Sequence, residues 1–191
     1  MGLSDSEILI PKPPEREERI SELDLIADQY YKRYNPPEHQ HKLDSDVVGL
    51  FNSLVKSSGR SCIMPMLEEL NHAIKPIILV HKEHFNQGRP ADLAYEIGKP
   101  VPFDYLESAQ TPSYPSGHAA QAFFFAHLLS DLFPDLSINL YELANMVAES
   151  RVDRGVHFPS DISAGKLLAR KLYDSTRSTA VSSISEGSLA K

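Results

Sequence analysis

Between Pro115 and Pro134 the chain reads SGHAAQAFFFAHLLSDLF, apolar on nearly every face. A helix of that kind has no side to give to water, so other elements must wrap it. Proline fits the first turn of a helix and is disfavoured in its interior, so the flanking prolines bound the segment. Ser116 is a good N-cap, and the helix is expected from Ser116 to about Phe133. Gln121, His127 and Asp131 interrupt it, and the apolar run IILV at 77–80 is too short, so neither reads as a bilayer span. A central buried helix with no strand pattern beside it points to a helical bundle.

The remaining pattern supplies the wrapping. Residues 15–34 carry Ile20, Leu23, Ile26, Tyr30 and Tyr34 at three-to-four spacing, an amphipathic helix. NPPEHQHKL breaks it. Further helices are expected over 44–59, capped by Asp44 or Ser45; over 64–85, kinked or split at Pro76; over 138–154; and over 159–175. Residues 86–113 read as one long irregular loop, a length usually kept for function. The expected fold is all-α: one helical bundle of about six helices over residues 15–175. The Pro-rich residues 1–14 read as a flexible arm, and the Ser-rich residues 176–191 as a disordered tail.

The chain has 191 residues, enough for a sizeable core, and a formal net charge of −7. That balance argues against a nucleic-acid partner, which would call for a basic face. Cys62 is the single cysteine, no glycosylation sequon occurs, and MGLSDSEILIPKPPE has no apolar signal core. These features predict a cytoplasmic or other intracellular protein. Gly2 and Ser6 fit the N-myristoylation pattern, without a polybasic patch to support it. A homodimer is compatible with the sequence.

Three stretches carry the candidate chemistry. In PSGH (115–118), Ser116, Gly117 and His118 open the central helix, where unpaired N–H groups favour an anion. KEHFNQGRP (82–90) places Lys82 and Arg89 at the start of the long loop. SRVDRGVHFPSD (150–161) places Arg151 at a helix end and His157 one helical turn before Asp161. A carboxylate at that spacing can hold one ring nitrogen and leave the other as a nucleophile. Singly, each has a plain alternative: surface charge, a helix-end cation, a structural cap.

Together, K-x6-R-P, P-S-G-H and S-R-x5-H-x3-D resemble the three-part signature of the type 2 phosphatidic acid phosphatase superfamily. That group also includes class A acid phosphatases and vanadium-dependent haloperoxidases. All eleven defining positions are filled: Lys82, Arg89, Pro90, Pro115, Ser116, Gly117, His118, Ser150, Arg151, His157 and Asp161. The resemblance implies a helical bundle and a phosphate cradle of Lys82, Arg89, Arg151, Ser116 and Gly117. It implies that His157 attacks phosphorus, Asp161 orients it, and a charged His118 protonates the leaving oxygen. The substrate is then a small phosphorylated molecule, a phosphomonoester or diphosphate, and no cofactor or metal is required. Vanadate would bind at His157 as an inhibitor. In the alternative, a haloperoxidase, it would be the prosthetic group. Against that alternative, Thr111 stands where those enzymes usually carry an aromatic or His, and Leu79 where the chloroperoxidase type has Trp. A catalytically silent phosphate-binding protein would be marked by loss of His118, His157 or Asp161, and all three are present. His39, His41, His72, His81, His84 and His127 are expected to have no part in the chemistry.

Overall fold

The structure, a computed structural model, describes residues 9–32 and 37–188. Eight α-helices follow in order among the described residues: α1 (Arg16–Lys32), α2 (Pro37–Ser45), α3 (Val47–Ser57), α4 (Met64–Phe85), α5 (Pro90–Glu96), α6 (Gly117–Leu132), α7 (Ser137–Asp153) and α8 (Pro159–Ser188). No strand occurs among them. The all-α expectation holds, and α6 is the central helix. It buries Ala119, Ala120, Ala122, Phe123, Phe124, Phe125, Ala126 and Leu129. Its main neighbours are α7 and α8, with α4 and α3 closing the remaining faces. Phe51 of α3 meets Phe125 edge-on at 5.6 Å between ring centroids. Each buried Phe or Leu of α6 contributes roughly 1.5–3 kcal/mol of apolar burial. No described helix is long and apolar enough to cross a membrane.

Helix α8 reaches α6 closely because residue 165 is glycine. A Cβ there would lie 2.6 Å from the Ser116 carbonyl oxygen and 2.9 Å from Ala119 Cβ. Helix propensity alone would favour alanine by about 1 kcal/mol. Gly165→Ala is nevertheless expected to lose about 1–3 kcal/mol, because the clash falls on backbone that cannot move cheaply. Denaturant unfolding measures it, and a stability equal to or above wild type would show that α8 can step back.

Several expected boundaries move. The prolines of NPPEHQHKL do not only break structure: Pro37 stands at the first position of α2, where its missing N–H costs nothing. The helix expected from residue 44 therefore starts at Val47, capped by Asp46, which accepts from Gly49 N–H at 2.8 Å. Helix α4 runs unbroken through Pro76. The stretch 86–113 is not one irregular loop. It holds α5, started by Pro90 and by Asp92 accepting the Arg89 N–H at 2.7 Å, and a 3-10 turn at Glu107–Ala109.

The termini also depart from expectation. Residues 1–8, with Gly2 and its acylation pattern, lie outside the described residues. The rest of the supposed arm is docked: Ile10 is only 4% exposed. The Leu9 N–H donates to His81 Nε2 at 3.2 Å, and the Tyr114 hydroxyl donates to the Pro11 carbonyl at 2.8 Å. The tail expected to be disordered from residue 176 continues α8 to Ser188. No glycine or proline stands between Leu172 and Glu186 to stop it.

Candidate active site

The N-terminal turn of α6 sets one wall. The Ser116 hydroxyl accepts from Ala119 N–H at 3.3 Å, and the Ser116 N–H donates to the Asp161 carbonyl at 3.0 Å. These two bonds fix the start of α6 against the start of α8. They also engage the Ser116 hydroxyl as a helix cap, a use additional to the anion contact implied by the motif. Gly117 and His118 follow and line a cavity of about 430 Å³. A Cβ at Gly117 would lie 3.5 Å from Lys82 Cε, an ordinary contact, so packing alone does not demand glycine there.

The last turn of α4 and the segment after it supply two cations. Lys82 is 5% exposed, and its Nζ donates to the carbonyls of Pro112 at 2.5 Å and Ser113 at 3.3 Å. Arg89 donates from Nε and Nη2 to the Thr111 carbonyl at 3.0 and 2.8 Å, and from Nη1 to the Val156 carbonyl at 2.6 Å. These carbonyls fix the guanidinium with Nη1 at 3.4 Å from His157 Nε2. Lys82, Arg89, Gly117, His118 and His157 all line the one cavity. Ser116, Arg151 and Asp161 are fully buried behind it.

Asp161 is the hub of the contacts around His157. Its Oδ2 lies 3.0 Å from His157 Nδ1 and accepts from the Phe158 N–H at 2.9 Å and from the Ser113 hydroxyl. Its Oδ1 accepts from Gln87 Nε2 at 2.9 Å. A carboxylate can only accept, so His157 carries its proton on Nδ1 and presents a bare Nε2 to the cavity. Burial, then Arg89, Lys82 and Arg151, hold the His157 imidazolium pKa well below its ordinary value, so the ring is neutral. Burial raises Asp161 to about 6, opposed by the Ser113 hydrogen bond.

Arg151 comes from the last turn of α7 and brings in a partner that no motif contains. Its Nη1 is paired with Asp44 Oδ1, and its Nη2 donates to the Ser108 hydroxyl at 3.1 Å. Asp44 also receives the Ser108 hydroxyl at 2.6 Å, and its backbone carbonyl accepts from His118 Nε2 at 2.9 Å. The same Nε2 lies 3.4 Å from Asp44 Oδ1. One residue of α2 thus touches both the proposed acid and a proposed phosphate ligand. Burial works against its charge, but Arg151, Ser108 and His118 together lower the Asp44 pKa. Gln87, Ser108 and Ser113 were likewise outside the motif reading. Only Gln87 and Ser113 had a signal, lying within or beside motif segments.

The expectation of a charged His118 needs correction. Burial first, then Arg151, push it down to about 3 against the opposing pull of Asp44, so the protein's own groups keep it neutral at ordinary pH. Burial and Arg89 similarly bring Lys82 down to about 7, and burial takes Arg151 to about 10. Cations packed together repel further positive charge, and an incoming phosphate reverses that balance.

Elsewhere, His81 carries structural bonds to Leu9 and to the Ile77 carbonyl. His127 pairs with Tyr141 at 2.6 Å and stacks on Tyr173. The exposed His84 packs edge-on against Phe85. Among the described residues, no group of three His, Cys, Asp or Glu side chains is placed to hold a metal ion.

The family model for the PAP2 superfamily matches residues 70–171. An acid phosphatase of Zymomonas mobilis subsp. mobilis is 37% identical over 57 residues, covering 30% of this chain and 22% of that protein's length. The crystal structure of a transmembrane PAP2-type phosphatidylglycerolphosphate phosphatase from Bacillus subtilis superposes with a TM-score of 0.59 at 17% identity. That match covers 88% of each chain and establishes likeness of fold.

Proposed function

The chain belongs to the PAP2 superfamily, and from that premise we propose that it is a phosphatase hydrolysing phosphomonoesters or diphosphates through a phosphohistidine at His157. The observation that carries this reading is the bare His157 Nε2, turned by Asp161 toward a cavity shared with Lys82, Arg89 and His118. In the first step the Nε2 lone pair forms a P–N bond as the ester P–O bond breaks. His118 gives its proton to the departing oxygen. In the second, His118 takes a proton from water, the resulting oxygen attacks phosphorus, and the P–N bond breaks to release phosphate.

Phosphoryl transfer needs charge stabilisation and positioning more than covalent assistance. Lys82 and Arg89 supply the charge beside His157, and Arg151 adds to it from behind. Arg151 Nε is buried without a protein partner, a donor that an oxyanion suits. The phosphate's charge also supplies what His118 lacks, raising its pKa so that acid and anion arrive as a matched pair. No divalent ion enters this scheme, because Lys and Arg stand where carboxylate ligands would be needed.

The protein is expected to hydrolyse an aryl phosphate in the presence of a chelator, with vanadate competing for the site as a trigonal-bipyramidal adduct on His157. Initial rates across substrate and vanadate concentrations test both points. Activity lost to chelator and restored by a divalent ion, or noncompetitive vanadate inhibition, would overturn the scheme.

A further inference from the structure

The cavity is larger than a phosphate needs, and the excess runs along α4. Lys82 lies at its inner end, Ile78 and Leu79 one turn earlier, and Lys75 two turns earlier. Seven residues of helix return to the same face about 10 Å along the axis. Val48 of α3 adds to the apolar middle, and Asn71 and Gln121 stand with Lys75 at the outer end. The cavity therefore has three zones in series: a cationic cradle, an apolar waist and a polar outer end.

The outer end combines one cation with two amides. The Asn71 Oδ1 accepts from Gln121 Nε2 at 2.8 Å, and the Asn71 N–H groups remain as donors. Lys75 is exposed and has no ion-pair partner among the described residues. The carboxylates that line the same cavity are both engaged: Asp44 by Arg151 and Ser108, and Asp46 by the Gly49 N–H at the start of α3. Neither is ion-paired with Lys75.

We infer that Lys75 is a specificity-determining residue: it selects substrates whose leaving group has a short apolar middle and a second anionic group at its far end. This rests on the phosphate-cradle reading above and names the substrate class of that site. The apolar waist accepts the methylene spacer, and Lys75 with the Asn71 amide receives the terminal carboxylate or phosphate.

Binding of two phosphonates, measured by calorimetry at low salt, separates this from the parent reading without requiring turnover. The probes are hexylphosphonate and 6-phosphonohexanoate, alike in spacer length and different in the terminal group, methyl or carboxylate. The wild type is expected to bind the carboxylate-bearing probe about twofold to fivefold more tightly, the range an exposed ion pair supplies. Lys75→Ala should abolish that ratio while leaving hexylphosphonate affinity unchanged, and Lys75→Glu should invert it. Added salt should shrink the ratio. Equal binding of the two probes by wild type, or a ratio that survives Lys75→Ala, overturns this inference and leaves the cradle intact. Failure of both probes and of inorganic phosphate to bind overturns the cradle reading, and this inference with it.

Discussion

His157→Ala is expected to form no phosphoenzyme and to turn substrate over at the background rate. In the proposed scheme the imidazole forms the covalent bond, and its Nε2 is the lone pair that Asp161 and the cavity leave unprotonated. Losing a nucleophile removes a whole reaction path, whereas losing a phosphate ligand only raises a barrier. The variant should remain folded, since Asp161 keeps Gln87, Ser113 and the Phe158 N–H as hydrogen-bond donors. Inorganic phosphate should still bind through Lys82 and Arg89, with Arg151 behind them, so a binding measurement confirms an intact cradle. Rapid quench into alkaline detergent with radiolabelled aryl phosphate, followed by a test for the base-stable, acid-labile phosphoramidate, reads the covalent step. Wild-type enzyme without such a species would indicate direct attack by water. A label that persists in His157→Ala would place the nucleophile elsewhere.

His118→Ala is expected to separate substrates by their leaving groups. General acid help is worth roughly a hundredfold to ten-thousandfold, and it matters most when the departing oxygen is a strong base. With an alkyl phosphate the variant should therefore lose activity by about that factor. With a nitrophenyl ester, phosphoenzyme should form and then accumulate, because water activation is lost as well. The sign of the pH response follows from the depressed imidazole. Its pKa lies far below 6.5 in the protein alone and is raised by a bound phosphate, so acid catalysis falls away as pH rises through the pKa of the complex. Wild-type kcat on an alkyl phosphate should show that alkaline limb, and His118→Ala should lack it. An unchanged limb in the variant, or equal losses on both esters, would assign the proton transfer to another group.

The parts of this molecule that could be read in the sequence are those with a local signature. Helix α6 is apolar on nearly every face, and its place at the centre follows from that. His157 and Asp161 are one turn apart, so their hydrogen bond is a matter of helix geometry. Asp44 had no such signature. It is 107 residues from Arg151, and in the linear chain it looks like a capping residue. Helix α2 was concealed because the Pro37 that opens it also fits a turn. The protonation of His118 was misjudged for a related reason: spacing reveals possible partners, but the depth of burial and the crowd of cations around a ring emerge only from packing.

The strap formed by residues 9–14 bears on where the working unit of this protein begins. Leu9 is hung on α4 through His81, and Pro11 on the segment leading into α6 through Tyr114. Those are the two walls that carry Lys82 and the PSGH turn. The strap and Asp44 both lie upstream of residue 70, where the family match starts. The minimal catalytic body is therefore not coextensive with the recognisable signature. A fragment cut to residues 70–171 would keep every motif residue, yet it would lack the brace across the cradle and the carboxylate that links Arg151 to His118.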